Sequence, residues 1–122
     1  MTQPSSLLIV EDERILSRCL ATHFGRRGMD VTVAGTVSEA RSLLETTEFD
    51  AALLDVGLPD GDGLSLIPTL STDRSIVITA NPDFDRFEEL GIKHVVPKPL
   101  DLDRVADVID AMTATRERAG SC

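Results

Sequence analysis

The sequence has 122 residues and a formal net charge of −9, with 21 acidic against 12 basic side chains. That length is enough for one domain with its own hydrophobic core. A hydrophobic content of 42% indicates a globular rather than a disordered chain. The acidic balance argues against direct binding of nucleic acid, which requires a basic face. Aromatic residues make up only 3%, with no Trp or Tyr, so a base-stacking platform is not expected either.

The cysteines and the longest apolar runs bear on the compartment. Cys19 lies in an apolar helical pattern and Cys122 is the final residue, which makes them a poor pair for a structural disulfide. A reduced, cytoplasmic setting is therefore predicted. The first residues carry no basic segment and no signal-length apolar run, and no stretch approaches the ~20 apolar residues that span a bilayer.

The first half of the chain predicts strands and helices in alternation. The apolar run 7–10 predicts a buried strand, and residues 31–34 predict a second strand. Between them a helix is predicted that ends at Gly28. The apolar positions of that helix are Ile15, Leu16, Cys19, Leu20 and Phe24. Thr36 and Glu39 have the spacing of a capping box and predict the start of a second helix.

The second half continues the alternation. The third strand, 51–54, is wholly apolar and leads directly into Asp55. Pro68 falls within the next helical pattern and predicts a short or kinked helix, since proline lacks an amide donor. Two more strands are predicted at 75–79 and 94–96. The last two helices carry their apolar residues at Phe84, Phe87 and Leu90, and at Leu102, Val105, Ile109 and Met112.

Five strands alternating with five helices are typical of a doubly wound α/β domain with a parallel sheet. Wholly apolar strands indicate a sheet that is covered by helices on both faces. We predict one domain over residues 1–122, with its core at about 7–112 and a polar tail at 113–122.

Polar side chains follow the predicted strands at their carboxyl ends. They are Glu11 and Asp12 after the first strand, Asp55 after the third, Thr79 at the fourth and Lys98 after the fifth. Right-handed crossovers place these ends along one edge of the sheet, so the side chains should converge. Clustered carboxylates repel one another, and a hard divalent cation such as Mg²⁺ relieves that repulsion.

At these positions the chain resembles the receiver domain of two-component response regulators, the CheY-like family, from about residue 7 to residue 112. The matching motifs are Val10-Glu11-Asp12, Asp55 with Pro59, Asp62-Gly63, Ile78-Thr79-Ala80 and Lys98-Pro99. Each motif alone is weak, but the ordered set is specific. The resemblance implies a flavodoxin-like (βα)5 sheet with the strand order 2-1-3-4-5.

The resemblance also implies roles for these residues. Asp55 corresponds to the phosphoacceptor, whose carboxylate attacks the phosphoryl group of a phosphohistidine. Mg²⁺ is implied as the cofactor, bound by Asp12 directly, by Glu11 through water, by Asp55, and by the backbone carbonyl of Gly57.

Two further residues complete the implied machinery. Thr79 would hydrogen-bond one phosphoryl oxygen, and Lys98 would pair with another. The implied phosphoryl donor is a histidine kinase or a histidine phosphotransfer protein, and the output goes to an effector domain or a partner protein. Such a domain is a signalling phosphoacceptor, which assists its own phosphorylation and dephosphorylation, and it needs no contact of its own with nucleic acid or membrane.

The chain departs from the family pattern on the output side. Val95 stands three positions before the lysine, where the family usually has an aromatic residue. Two alternatives follow: either signalling proceeds without an aromatic switch, or the conformational change is transmitted by packing and backbone shifts alone. The segments between Asp55 and Thr79 and between Thr79 and Lys98 are shorter than the family norm, which predicts short third and fourth helices.

Simpler interpretations apply to single residues. An Asp before a Gly-Pro loop, such as Asp55, often only initiates a turn. Asp60 and Asp62 are interpreted as turn formers, and His23 and His94 receive no role. The acidic residues after the first strand also suit a helix N-terminus.

Two rival functions belong to other classes. An aspartyl-phosphate hydrolase also places a nucleophilic Asp after a parallel strand, but it commonly carries a second Asp two residues later, where this chain has Gly57. A degenerate receiver would act as a constitutive protein-interaction module. The intact phosphorylation residues argue against this module, whereas Val95 and the short helices favour it.

Overall fold

The computed structural model describes the backbone of residues 5–120 and the side chains of residues 5–113. Residues 1–4 and 121–122, including Cys122, lie outside this range. The strands are β1 Ser6–Val10, β2 Asp30–Ala34, β3 Ala51–Asp55, β4 Gly57–Leu58, β5 Gly61–Asp62, β6 Ser75–Thr79 and β7 Val95–Pro97. The helices are α1 Arg14–Arg26, α2 Val37–Thr46, α3 Ile67–Leu70, α4 Phe84–Glu89 and α5 Leu102–Gly120.

Five of the strands form one parallel sheet in the order β2-β1-β3-β6-β7. The other two, β4 and β5, form a separate antiparallel hairpin directly after β3. When the hairpin strands are left out of the numbering, the order of the strands across the sheet is the predicted 2-1-3-4-5. The doubly wound fold is thus confirmed, whereas the hairpin was not predicted.

The central strand β3 is apolar from Ala51 to Leu54 because it is covered on both faces. Successive side chains of a strand point to opposite faces. Ala52 and Leu54 pack in a core with residues of α2, α3 and α4. Ala51 and Leu53 pack in a second core with residues of α1 and α5. All five residues of β3, including Asp55, are buried, so helices on both faces hold the strand that ends in this carboxylate.

The predicted inward face of α1 was partly wrong. The helix buries Ser17, Leu20 and Phe24, which lie at helical spacing on one face. Ile15 is 79% exposed, and Cys19 is also exposed, with a free thiol. These two residues are four positions apart and therefore share a face that points to solvent.

The third and fourth helices are short, as predicted. Helix α3 has four residues and α4 has six. Pro68 lies in the first turn of α3, where a missing amide donor breaks no helical hydrogen bond. A short 3₁₀ turn, Gly63–Leu66, precedes α3. Strand β7 begins and ends one residue later than the predicted 94–96.

Helix α5 extends further than the apolar pattern indicated. Its backbone is helical to Gly120, so most of the segment 113–122 predicted as a polar tail continues the helix. Val105, Ile109 and Met112 are buried, as predicted. Within residues 5–120, every helix is too short or too polar to cross a bilayer.

Candidate functional site

The predicted site residues converge at the carboxyl edge of the sheet. Asp55 ends β3 and Thr79 ends β6, and each residue is only 7% exposed. Glu11 follows β1 and is 1% exposed. Lys98 follows β7, and its amide donates a 2.8 Å hydrogen bond to the carbonyl of Thr79. The expected convergence of the strand ends is therefore present in the structure.

The ammonium of Lys98 lies among three carboxylates. Its Nζ atom is 2.8 Å from Oε1 of Glu11 and 3.5 Å from Oδ2 of Asp55. A third carboxylate oxygen, Oε2 of Glu13, is 3.9 Å away. The Lys98 side chain is 19% exposed, and the peptide bond between Lys98 and Pro99 is cis.

These surroundings set the charge of Lys98. Burial by itself lowers the pKa of the ammonium. The close ion pair with Glu11, together with the charges of Asp55 and Glu13, more than offsets that effect and raises the pKa above its ordinary value. Lys98 therefore remains a cation at neutral pH.

The three predicted carboxylate ligands form a cluster. Glu11, Asp12 and Asp55 each offer one oxygen atom, and these atoms lie within 4.8 Å of one another. Asp12 is exposed, whereas the other two are buried. Lys98 balances only part of this negative charge, and all the side-chain donors are hard oxygen atoms. Such a donor set fits a hard divalent cation such as Mg²⁺.

The loop after β3 closes tightly over Asp55. The amide of Gly57 donates a 3.3 Å hydrogen bond to Oδ1 of Asp55. The amide of Gly63 donates a 3.2 Å hydrogen bond to the carbonyl of Val56. A Cβ atom at position 63 would lie 2.0 Å from the backbone oxygen of Asp55, so only glycine fits there. Position 57, by contrast, faces open space.

Asp60 is more than the turn former that was predicted. Its Oδ1 and Oδ2 atoms accept hydrogen bonds of 2.8 and 3.0 Å from the amides of Val37 and Ser38 in the first turn of α2. The hydroxyl of Thr36 accepts a third, 3.1 Å, from the amide of Glu39. The bonds from Val37 and Ser38 lower the pKa of Asp60. The loop after β3 thus supplies a cap to a helix that precedes it.

Asp62 also has a second role beyond its turn. Its Oδ1 accepts a 2.8 Å hydrogen bond from the amide of Leu64 and so caps the 3₁₀ turn. Its Oδ2 lies 2.6 Å from Nη2 of Arg86 on α4. The sequence analysis interpreted Asp62 only as a turn former, and it carried no signal that would pair Asp62 with Arg86.

Thr79 and Val95 lie on the neighbouring strands β6 and β7. The Oγ1 atom of Thr79 accepts a 3.2 Å hydrogen bond from the amide of Asn81, which leaves its own hydroxyl proton available to another acceptor. Val95 is half-buried and packs against the core under α2, α3 and α4. A small β-branched side chain therefore fills this position.

The two histidines lie apart from the acidic cluster. His23 makes an edge-to-face contact with Phe24, with ring centroids 4.9 Å apart. Burial, followed by the positive charge of Lys93, lowers the pKa of His94, and the charge of Asp73 opposes this shift. The cluster of potential metal ligands found among the described residues contains neither histidine.

Curated proteins with similar sequences are response regulators. The chain is 35% identical over 105 residues to the TorCAD operon transcriptional regulatory protein TorR of Escherichia coli (strain K12), a match that covers 81% of this chain and 46% of TorR. It is 35% identical over 118 residues to the response regulator protein PilR of Pseudomonas aeruginosa, covering 91% of this chain and 26% of PilR. The chain therefore spans less than half the length of these relatives.

Solved structures share the fold over most of the chain. The non-phosphorylated HemR receiver domain of Leptospira biflexa superimposes with a TM-score of 0.78 at 30% identity, covering 88% of this chain and 93% of that one. A two-component response regulator from Clostridium difficile gives a TM-score of 0.82 at 21% identity, covering 90% and 96%; that likeness shows the fold alone. Residues 7–110 also match the family described as the response regulator receiver domain. The chain belongs to the response regulator receiver domain family.

Proposed function

We propose that this receiver domain accepts a phosphoryl group on Asp55 from a phosphohistidine donor. The observation that carries the proposal is the position of Asp55, a buried carboxylate with the Lys98 ammonium 3.5 Å from its Oδ2 atom. The amide of Gly57 holds the other carboxylate oxygen. Asp55 is therefore oriented from one side and faces a cation on the other.

The reaction exchanges one bond to phosphorus for another. A carboxylate oxygen of Asp55 attacks the phosphorus atom and forms an acyl phosphate, while the bond from phosphorus to the donor imidazole breaks. The electron pair of that bond returns to the imidazole nitrogen. Such transfer depends mainly on alignment and on the neutralisation of oxygen charge, and Lys98 supplies a positive charge beside Asp55.

Thr79 and Lys98 would read the phosphorylated state. Lys98 would exchange part of its pairing with Glu11 and Asp55 for a phosphoryl oxygen. The hydroxyl of Thr79 would donate its proton to another phosphoryl oxygen, while its Oγ1 atom accepts from the amide of Asn81. Both responses shift an existing equilibrium between two conformations instead of building a new fold.

The acidic cluster would hold Mg²⁺. Asp12 and Asp55 would ligate the ion directly, Glu11 through water, and Gly57 through its backbone carbonyl. When bound, the ion neutralises charge on the phosphoryl oxygens. The oxygen-only donor set and its excess negative charge support this assignment.

The partners follow from the chemistry of the donor. A histidine kinase or a histidine phosphotransfer protein would supply the phosphoryl group, in the cytoplasm. The curated relatives are longer than this chain, which supports an output through an effector domain or a separate protein. We also propose that residues 1–122 act as one receiver domain, without contacting nucleic acid or membrane directly.

Intact-mass spectrometry tests this function. The protein is incubated with acetyl phosphate with and without Mg²⁺, as wild type, Asp55→Asn and the control Asp30→Asn, an exposed carboxylate at the start of β2. A single phosphoryl adduct that needs Mg²⁺ and Asp55, and that persists in Asp30→Asn, is expected. If the wild type forms no adduct with either acetyl phosphate or a phosphorylated histidine phosphotransfer protein, the proposal is contradicted and a constitutive interaction module is favoured.

A further inference from the structure

The hairpin of β4 and β5 connects the site to two helices. Its first strand contains Gly57, the residue whose carbonyl is assigned to the metal. In the antiparallel register, Gly57 lies opposite Asp62, and Leu58 lies opposite Gly61. The position of Gly57 is therefore linked through one backbone pairing to the position of Asp62.

The side chain of Asp62 ties this strand pair to α4. Its Oδ2 atom lies 2.6 Å from Nη2 of Arg86, which is within range of a charge-assisted hydrogen bond. Its other oxygen accepts from the amide of Leu64. Asp62 thus has both carboxylate oxygens engaged, one by the loop itself and one by a separate helix.

The tip of the hairpin is tied to α2. Asp60 accepts hydrogen bonds from the first two amides of α2, and the backbone at Gly61 passes close to Val37 of the same helix. At the base, the site for Gly63 admits no side chain. The Arg86 contact is the one tie in this set that joins two side chains, and both are partly exposed.

We propose that Arg86 is a positioning residue for the metal side of the site. Through its ion pair with Asp62 it holds β5, and through β5 the Gly57 segment, in the conformation that binds the divalent cation. This inference rests on the proposed function of Asp55. It also means that the position of α4 and the affinity for the cation are coupled, and such coupling is reciprocal.

The stability of the fold does not depend on this pair. Both side chains are substantially exposed, 48% for Arg86 and 36% for Asp62, and exposed ion pairs contribute little to folding. The loss of Arg86 should therefore change cation binding while the protein stays folded. This separation makes the inference testable on the full chain.

The first test measures Mn²⁺ binding by electron paramagnetic resonance, which needs no phosphoryl donor. Arg86→Gln should raise the dissociation constant about three- to tenfold, less than the 10–100-fold typical of groups that hold a ligand directly. Arg86→Lys should restore part of the affinity. Asp62→Asn keeps the cap on Leu64 but loses the charge that pairs with Arg86. Adding Arg86→Gln to Asp62→Asn should cause little further loss of Mn²⁺ affinity, since both substitutions break the same ion pair.

A matched control removes a different exposed ion pair. Lys93 pairs with Asp73 beyond the end of α4, and both side chains are more exposed than those of Arg86 and Asp62. Lys93→Gln should leave the Mn²⁺ dissociation constant unchanged. In metal-free protein, the amides of 57–63 should exchange hydrogen faster in Arg86→Gln than in Lys93→Gln, since local opening governs exchange.

The outcomes separate this inference from the proposed function. If the wild type is labelled on Asp55 but Arg86→Gln and Lys93→Gln bind Mn²⁺ equally, the positioning role of Arg86 is wrong and the proposed function stands. The role is also wrong if two results occur together. Arg86→Lys would then bind Mn²⁺ as weakly as Arg86→Gln, and the losses of affinity in Arg86→Gln and Asp62→Asn would add fully in the double variant. If the wild type neither binds Mn²⁺ nor is labelled, both proposals are overturned.

Discussion

The Nζ atom of Lys98 lies 2.8 Å from Oε1 of Glu11, and the Glu11 side chain is completely buried. A buried carboxylate is costly unless a partner compensates its charge. Lys98 is therefore a structural partner of Glu11 in the metal-free protein, besides the part in phosphoryl recognition that we propose for it. A substitution at Lys98 tests both of these roles.

Removal of Lys98 should destabilise the metal-free protein. In Lys98→Met, the buried charge of Glu11 loses its ammonium partner, and the free energy of unfolding should fall by about 3 kcal/mol. Urea unfolding in the presence of a chelator measures the change. Adding Glu11→Gln should recover much of the loss. Lys93→Met, which breaks an exposed pair, should cost less than about 1 kcal/mol, and an equal loss in both variants would contradict the structural role.

The same substitution should strengthen cation binding. The Lys98 ammonium lies beside Glu11 and Asp55 and so repels a divalent ion that uses these carboxylates. Lys98→Met should therefore lower the dissociation constant for Mn²⁺ severalfold, measured by paramagnetic resonance. Phosphorylation of that variant should produce a smaller change in the amide NMR spectrum than in the wild type. Weaker Mn²⁺ binding in the folded variant would show that Lys98 supports the cation site instead of competing with it.

Two glycines of the loop after β3 should differ sharply in tolerance. A Cβ atom at position 63 meets the backbone oxygen of Asp55 at 2.0 Å, and backbone atoms cannot move aside cheaply. Gly63→Ala should therefore lower the free energy of unfolding by about 1–3 kcal/mol or more and impair labelling of Asp55. Gly57→Ala meets open space and should stay folded. Thermal unfolding and intact-mass labelling distinguish them, and equal behaviour of the two variants would count against the close approach at Gly63.

The strands and the position of the site could be predicted because both depend on local sequence. The apolar runs correspond to the five strands of the sheet, of which β1, β3 and β6 are largely or fully buried and the edge strands β2 and β7 only partly. Right-handed crossovers then placed the residues that follow the strands on one edge. Glu11, Asp55, Thr79 and Lys98 accordingly meet where the sequence predicted. The roles of these residues were predicted from the family motifs rather than from the strand pattern.

The errors concern relationships between distant segments. Asp60 and Asp62 were predicted only as turn formers, because their partners, in α2 and α4, lie 23 and 24 positions away in the chain. The outward position of Ile15 and Cys19 also depends on how α1 packs on the sheet, since both fit the apolar periodicity. Periodicity alone cannot set the width of a buried helical stripe.

The cap that Asp60 provides to α2 should make stability depend on pH. The hydrogen bonds from Val37 and Ser38 lower the pKa of Asp60 in the folded protein. Its stabilising effect is thus complete above the unfolded pKa, about 3.9, and is lost as the pH falls through the lower folded pKa.

Asp60→Asn should therefore have a lower melting temperature than the wild type at pH 7, and the difference should shrink below about pH 4. Circular dichroism melts across that range measure it. Asp85→Asn, on the exposed surface of α4, should show a smaller difference at pH 7. A constant difference between Asp60→Asn and the wild type at every pH would mean that the charge of Asp60 does not matter.

The parallel sheet also has a consequence for folding kinetics. Asp55 meets Lys98 only after β3 has paired with β6 and β6 with β7, and it meets Glu11 only after β3 has paired with β1. Each of these pairings closes a long loop, which slows folding relative to local contacts. The ability to accept a phosphoryl group should therefore appear late in refolding, together with the completed central sheet, and pulse labelling with a small phosphoryl donor would time that event.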